Sequence, residues 1–478
     1  MIQIICRDQK VSYTAYHLVR AFFPQEAAKI TVSETETAEN VRILAEDGQD
    51  LWIEAADPET FYQKLSLHTG KELPWGMLTG VRPVKLASAW LAEHAGKELS
   101  RQEAKDAFIR HFQDTRFVSE KKAGLAFDIA WKEQALVLEK GLNKDGASLY
   151  AGIPFCPSVC RYCSFSSGPI DRYAGQVDEY LRVLVREMRA RKQMYFASGK
   201  YPDTIYVGGG TPTSLSEEQL EYLLDEMEQI FSIRQGAAEG HVKEYTVEAG
   251  RPDSITRGKL KILKDHGVNR ISVNPQTMNP RTLELIGRAH TPEQTRQAFF
   301  LAREEGFDNI NMDLIMGLAG ETAEDVRRTL EEIEVLMPDS LTVHTLAIKR
   351  ASAIGIDRRI HLSEETQSEQ NGSQVETMIT DAYHKAGAMG MEPYYLYRQK
   401  MITGNFENIG YALPGKECLY NILIMEELQS IIACGAGAVT KIIRDEPAAD
   451  PSRGGKLRKI TRQENVKNIE EYIRRGTC

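Results

Sequence analysis

The chain has 478 residues, 42% of them hydrophobic and 27% charged, with 68 acidic against 59 basic side chains and a formal net charge of -9. That length suits two or three domains with sizeable cores, and the acidic balance argues against a broad nucleic-acid-binding surface, leaving room only for a local basic pocket. No apolar run is long enough to span a bilayer, Met1–Lys10 has no signal-peptide pattern, and seven cysteines with three clustered make a poor disulfide framework, so a cytoplasmic protein in a reducing compartment is expected.

Residues 1–145 read as an N-terminal α+β accessory domain. "IQIIC", "KITVS", "VRILAED" and "LWIEAAD" have the length and β-branched content of strands. Helical patterns follow in "RPVKLASAWLAEHA", "RQEAKDAFIRHFQ" and "FVSEKKAGLAFDIAWKEQALVLE". The turn "LPWGMLTGVRP" offers Arg82 and Lys85 to an anion or simply to solvent.

From Ser148 a short apolar run followed by an amphipathic helix repeats. The strands are "SLYAGIPF", "TIYVGGG", "EYTVEAG", "RISVNPQ", "NINMDLIMGL" and "SLTVHTLA". Helices separate them, and Ser216 with Gln219 and Thr291 with Gln294 mark two helix starts as capping boxes. Gly267 and Gly306 stand where helices end. Such alternation implies right-handed crossovers and a parallel sheet whose chemistry lies at the C-terminal strand ends. The unusual polar residues respect that edge: Cys156 follows the first strand, Gly209, Gly210 and Thr211 the second, Glu248 is late in the third, Gln276 ends the fourth and Asp313 lies in the fifth. Residues 146–348 are therefore read as one barrel-like domain. Residues 349–478 begin with a polar stretch and continue through "VETMITDAYHKAGAMG", "EPYYLYRQK", "NFENIGYA" and "ECLYNILIMEELQSIIACGAGAVTKII" to a basic tail expected to be helical. This third region is expected to pack on the sheet domain and cover substrate.

Cys156, Cys160 and Cys163 form CxxxCxxC. A structural zinc site would need a fourth ligand, and Cys418 and Cys434 are remote and in apolar surroundings. Three thiolates can hold three irons of a [4Fe–4S] cube and leave the fourth open to a small molecule. A CxxC redox pair with one cysteine left over, or three packed thiols, are the plainer alternatives.

CxxxCxxC after the first strand, with "VGGGTPTSLS" after the second, resembles the radical S-adenosylmethionine (SAM) superfamily. "LYAGIPFCPSVCRYC", "GGGTPT", "TVEAGRPDSI", "RISVNPQTMNPRTLELIGRAHT" and "INMDLIMGLAGET" narrow the resemblance to the oxygen-independent coproporphyrinogen III oxidases (coproporphyrinogen dehydrogenases). "YYLYRQK" and "GNFENIGYA" are similar to a Gram-positive branch of that family. The resemblance implies a partial (β/α)6 radical SAM barrel with an N-terminal α+β domain and a C-terminal family-specific α+β region. It implies that Cys156, Cys160 and Cys163 ligate a [4Fe–4S] cluster and that Tyr150, Gly209 and Glu248 contact SAM. Tyr162, Gly210, Thr211, Gln276, Arg288, Asp313 and Ala347 match positions around a second SAM.

The resemblance further implies a radical mechanism. One electron from the cluster cleaves SAM, the resulting 5′-deoxyadenosyl radical takes hydrogen from a propionate of coproporphyrinogen III, and loss of carbon dioxide and an electron leaves a vinyl group. Two such events give protoporphyrinogen IX in anaerobic heme biosynthesis. A reduced flavodoxin or ferredoxin-type donor is implied as partner. A polycarboxylate substrate calls for basic side chains, with Arg398 and Lys400 as candidates. Phe165 stands where decarboxylating members carry a further cysteine. That departure keeps two rivals in view, a heme-binding chaperone and a radical SAM enzyme acting on heme. No histidine stands out as an axial heme ligand, and His344 is expected to be a packed or hydrogen-bonded strand residue.

Overall fold

The computed structural model describes residues 2–6, 9–23, 28–32, 40–44, 50–54, 57–79, 82–96, 98–163, 165, 167–196, 200–346, 372–398, 406–450 and 454–476. They form two compact units, one of Met1–Gln134 with Leu396–Asn408 and one of Ala135–Tyr395 with Ile409–Cys478.

In the first unit, β1 (Ile2–Cys6), α1 (Gln9–Phe22), β2 (Ala28–Val32), β3 (Asn40–Leu44), β4 (Asp50–Glu54) and α2 (Pro58–Thr69) build a small α/β layer. Its sheet runs β2-β1-β3-β4, with β1 parallel to β2 and antiparallel to β3. Ile2, Ile4 and Cys6 point to one face because strand side chains alternate, and they meet Ala15, Leu18, Val19 and Phe22 of α1 and Phe61, Tyr62 and Leu65 of α2. Neither α1 nor α2 is expected from the sequence. In α1 the β-branched and aromatic residues obscure a helical spacing that the core residues 15, 18, 19 and 22 reveal. The helices α3 (Pro83–His94), α4 (Arg101–Arg116) and α5 (Glu120–Glu139) follow, α4 opened by a Ser100–Glu103 capping box worth about 1 kcal/mol. Trp75, fully buried, donates to Glu407 Oε2 at 2.7 Å, and Lys122 pairs with the other oxygen of that carboxylate.

The second unit is organised by the strands β5 (Ala147–Ile153), β8 (Thr204–Gly209), β9 (Glu244–Glu248), β10 (Arg270–Ser272), β11 (Ile310–Met316) and β12 (Ser340–Thr345), which lie in that order and are all parallel. β6 (Phe155–Cys156) and β7 (Gly168–Pro169) form a separate short pair just after β5. The crossovers carry α6 (Val177–Tyr195), α7 (Glu217–Phe231), α8 (Ile233–Ala238), α9 (Arg257–Asp265), α10 (Pro280–Leu285), α11 (Pro292–Glu304) and α12 (Ala323–Leu336). Leu220, Leu223, Leu224, Met227 and Phe231 make the buried stripe of α7 at helical spacing. Truncating one such leucine would cost about 2–5 kcal/mol. Both expected capping boxes form, and Gly267 and Gly306 take left-handed φ of 80° and 84° after their helices.

The C-terminal third, α13 (Gly372–Ala388), β13 (Glu392–Arg398), β14 (Glu407–Ala412), α14 (Leu419–Glu426), β15 (Ser430–Cys434), β16 (Val439–Asp450), β17 (Lys456–Glu464) and α15 (Ile469–Arg475), extends the same sheet at both edges. β14 pairs antiparallel with β12, and β15 pairs parallel with β5. The eleven-stranded order therefore has two ends, β13 and β17, and among the described residues the six-stranded core is a partial barrel that does not close. The basic tail, expected to be helical, is instead mostly strand. β16 and β17 form an antiparallel hairpin, because Gly454 and Gly455 supply the left-handed turn (φ 65° and 76°) and Gly455 N–H closes it on Asp450 O at 3.0 Å. Among the described residues there, α15 alone is helical.

Candidate functional site

The residues at the C-terminal strand ends converge on one face. Leu149, Ala151, Ile205, Val207 and Val247 are buried apolar positions, and Tyr245, on the same side of β9, reaches Met227 of α7. The alternate residues Tyr150, Tyr206 and Glu248 therefore face the barrel interior. There Tyr150, Tyr206 and Tyr420 of α14 stack with ring centroids 4.6–6.4 Å apart. The interior is polar further down: Glu244 at the start of β9 accepts from Leu419 N–H at 2.6 Å and Tyr420 N–H at 3.2 Å, so a barrel carboxylate caps α14.

The cysteine loop leaves β5 and is closed at its base by the β6–β7 pair. Gly210 N–H donates to Ile153 O and Thr211 N–H to Phe155 O, both at 2.7 Å, which ties the loop to the glycine segment after β8. A Cβ on Gly210 would lie 2.5 Å from Phe155 O and 3.0 Å from Cys156 Sγ, so no larger residue fits without moving the loop. Cys156, Cys160 and Cys163 are half-buried and free of disulfides. Burial pushes the Cys156 thiol up, against lowering donors Thr211 and Ser167. Burial likewise raises Cys163, with Cys160 and Cys156 adding repulsion, so the three sulfurs are electrostatic neighbours. Among the described residues no three His, Cys, Asp or Glu side chains meet as ligands of one metal ion.

Two buried arginines hold this loop. Arg288 Nη1 donates to Tyr162 Oη at 3.0 Å, while its Nη2 donates to Gly250 O at 2.7 Å and Asn274 O at 2.8 Å. Arg251 grips Ser158. The sequence reading did not single out Arg251; its position three residues after Glu248, at a strand end, is the signal available for it.

Glu248 closes β9. Tyr206 Oη donates to its Oε1 at 2.5 Å. Burial pushes the Glu248 carboxyl up to about 7, with the Asp313 charge adding to it and the Tyr206 and Gly209 donors opposing. Burial also raises the Tyr150 phenol. Across the barrel, Asp313 Oδ1 accepts from Asn311 at 2.7 Å and Oδ2 from Asn274 at 2.8 Å. Burial opposes its ionisation, yet His344, Asn311 and Thr342 donate enough to hold the carboxyl below its ordinary value. His344, as expected for a hydrogen-bonded strand residue, faces Asp313 at 3.7 Å. Gln276 takes a left-handed φ of 68°, held by Gln276 N–H to Asp313 O and Ile315 N–H to Gln276 O at 2.9 and 3.0 Å. Its side-chain Oε1 is buried and has no partner.

The structure thus gathers Tyr150, Cys156, Cys160, Tyr162, Cys163, Gly209, Gly210, Thr211, Glu248, Gln276, Arg288 and Asp313 within one unit and around one strand edge. Ala347 and Lys400 lie outside the described residues. Arg398 belongs to the first unit, where it is buried, donates to Leu78 O at 2.5 Å and lies 5.3 Å over the Trp75 ring. Burial pushes its guanidinium down to about 10. Tyr206, Tyr420, Asn274 and Arg251 are the site residues that sequence reasoning did not name.

Residues 150–333 match the radical SAM superfamily. The oxygen-independent coproporphyrinogen-III oxidase-like protein HemZ of Bacillus subtilis is 42% identical over 411 residues, 86% of this chain and 76% of the relative. The heme chaperone HemW of the same organism is 34% identical over 296 residues, 61% of this chain and 70% of the relative. Among solved structures, the coproporphyrinogen III oxidase HemN from Escherichia coli, a radical SAM enzyme, superposes with a TM-score of 0.53 at 22% identity over 72% of each chain, a likeness of fold. Fold and loop together define a radical SAM protein. The chain belongs, within that superfamily, to the oxygen-independent coproporphyrinogen III oxidase-like family.

The cofactors of this superfamily are a [4Fe–4S] cluster and SAM. The residues present fit both. Three unbridged thiols sit on one short loop, Cys156 against Gly210, and each thiolate of a cuboidal cluster takes a different iron, so they need not meet at one point. The buried carboxylate of Glu248 and the orphaned Gln276 Oε1 suit the ammonium and the hydroxyl or amino donors of a nucleoside-bearing amino acid.

Proposed function

We propose that this protein carries out oxidative decarboxylation of coproporphyrinogen III propionates to vinyl groups, giving protoporphyrinogen IX. The observation that supports this reading over its rivals is the extent of likeness to the oxidase-like protein, 86% of the chain against 61% for the chaperone. The reading also places the protein in the cytoplasm, fed by a reduced flavodoxin or ferredoxin-type donor.

In this reading Cys156, Cys160 and Cys163 hold the cluster, and Tyr150, Gly209 and Glu248 hold SAM. When bound, the two supply a carbon-centred radical that abstracts hydrogen. Glu248 takes the ammonium of the amino acid end, and the Tyr206 phenol keeps its carboxyl turned into the barrel. Gln276, Arg288, Asp313, Tyr162, Gly210, Thr211 and Ala347 are assigned to a second SAM. The tyrosine stack and the helix-capped floor below exclude water from the reacting centre. Basic residues hold the substrate's propionates, with Arg398 and Lys400 as candidates. Arg398 would have to exchange its present partners for a propionate.

A heme chaperone is the second reading. Phe165 favours it: it stands on the cysteine loop, 71% exposed, where decarboxylating relatives carry a cysteine. The deciding experiment is anaerobic reconstitution followed by reductant, SAM and coproporphyrinogen III. Carbon dioxide with protoporphyrinogen supports the oxidase. SAM cleavage without either, together with stoichiometric heme binding, overturns it in favour of the chaperone.

A further inference from the structure

Arg251 lies in the turn after β9, three residues beyond Glu248, and is 3% exposed. A guanidinium so buried is costly unless its charge and all its donors are met. Asp253 takes the edge formed by Nε and Nη2 in a bidentate pair at 2.9 and 2.8 Å. The other edge is turned toward the cysteine loop. Nη1 donates to Ser158 O at 3.0 Å and Ser158 Oγ at 3.1 Å, and Nη2 also reaches that hydroxyl at 3.1 Å. Nη1 further approaches Cys160 Sγ at 3.9 Å. The turn itself is fixed: Ser254 Oγ donates to Arg251 O, and Ser254 and Thr213 hydroxyls pair at 2.7 Å. The guanidinium is therefore held rigidly, its counter-ion on one edge and a sulfur near the other.

We infer that Arg251 is a positioning residue for the iron–sulfur cluster, holding the loop between Cys156 and Cys160 by its grip on Ser158 and, through the N–H near the Cys160 sulfur, easing the cluster's reduction. The inference rests on the reading of the three cysteines as cluster ligands. Its physical basis is general. Reduction adds one negative charge to a cluster whose thiolates are already negative, and a hydrogen-bond donor or cation at a ligand sulfur stabilises the reduced form more than the oxidised one. Arg251 and Asp253 form a dipole whose positive part faces the sulfur. Removing either partner therefore moves the potential in opposite directions, which a merely structural role would not do.

The test is a redox titration of the reconstituted full-length protein, followed by electron paramagnetic resonance, with iron and sulfide content measured alongside. Arg251→Met removes the donors at similar length. It is expected to lower the midpoint potential, with the reduced-to-oxidised ratio at the wild-type midpoint falling about tenfold, the size of one charge-assisted hydrogen bond. Asp253→Asn removes the opposing charge and is expected to raise the potential. Arg251→Lys keeps the charge without the fork and should fall between wild type and Arg251→Met. Fully loaded Arg251→Met at the wild-type potential overturns the inference. Should that variant not fold, Asp253→Asn with an unchanged or lowered potential overturns it instead. Wild type that takes up no cluster overturns both this inference and the cluster reading beneath it.

Discussion

Tyr206 lies beside Thr246 in the register of β8 and β9, so its phenol reaches along the strand to Glu248, two positions further toward the C-terminal edge. A neutral donor thereby lowers the carboxyl that burial raises. Tyr206→Phe removes that donor and leaves Glu248 less ionised at neutral pH. SAM binding, measured by calorimetry on the anaerobic reconstituted protein, should weaken about 3–10-fold at pH 7. It should recover as pH rises and the carboxyl ionises. A loss independent of pH would refute this account.

Glu248 also carries a stability signature. Its folded-state value, about 7, lies above the ordinary 4.5, so the native protein binds this proton more tightly than the unfolded chain. The stability linked to that proton is fully present below about 4.5 and is lost as pH rises through about 7. Glu248→Gln escapes the loss. Its melting temperature relative to wild type, both without SAM, should climb from pH 5 to pH 8, by the equivalent of about 3 kcal/mol at most. A constant difference across that range would show that the carboxyl does not titrate there.

Gly210→Ala drives a methyl group into Phe155 O and the Cys156 sulfur. The loop must move, at about 1–3 kcal/mol. The expected result is a folded barrel by circular dichroism that retains little iron after reconstitution. Normal iron content would show that the approach of Gly210 to the loop is not needed.

Glu244→Ala removes the carboxylate that takes two amide N–H groups of α14 and faces the buried Arg270. An uncapped helix start and an under-compensated cation should together cost about 2–4 kcal/mol, seen as a lowered urea midpoint. Glu244→Gln, which keeps an acceptor, should recover part of it.

The barrel was legible because strand and helix periodicities alternate without ambiguity from Ser148 to Thr345, and because parallel sheets place their polar residues at one edge. The cysteines and glycines stand out by their local spacing. What sequence could not supply was long-range: Tyr420 joins Tyr150 and Tyr206 from a helix more than two hundred residues away, and no pattern around it marks an interior position. Nor does the sequence around Arg398 show its contacts with Leu78 and Trp75, which lie far upstream. The tail's composition suggests a helix, but pairing with β16 decides its conformation and makes it a hairpin. In α1, aromatic and branched residues masked a spacing that only the opposing sheet makes visible.

The floor of the barrel sets a timetable for the newborn chain. Glu244 leaves the ribosome 175 residues before the amide of Leu419 that it caps. At about 5–20 residues per second this leaves a delay of roughly 10–35 s. During it the cysteine loop has already emerged while β5 still lacks its neighbour β15. The tyrosine stack and the outer edge of β5 are therefore complete only after the last third has been made.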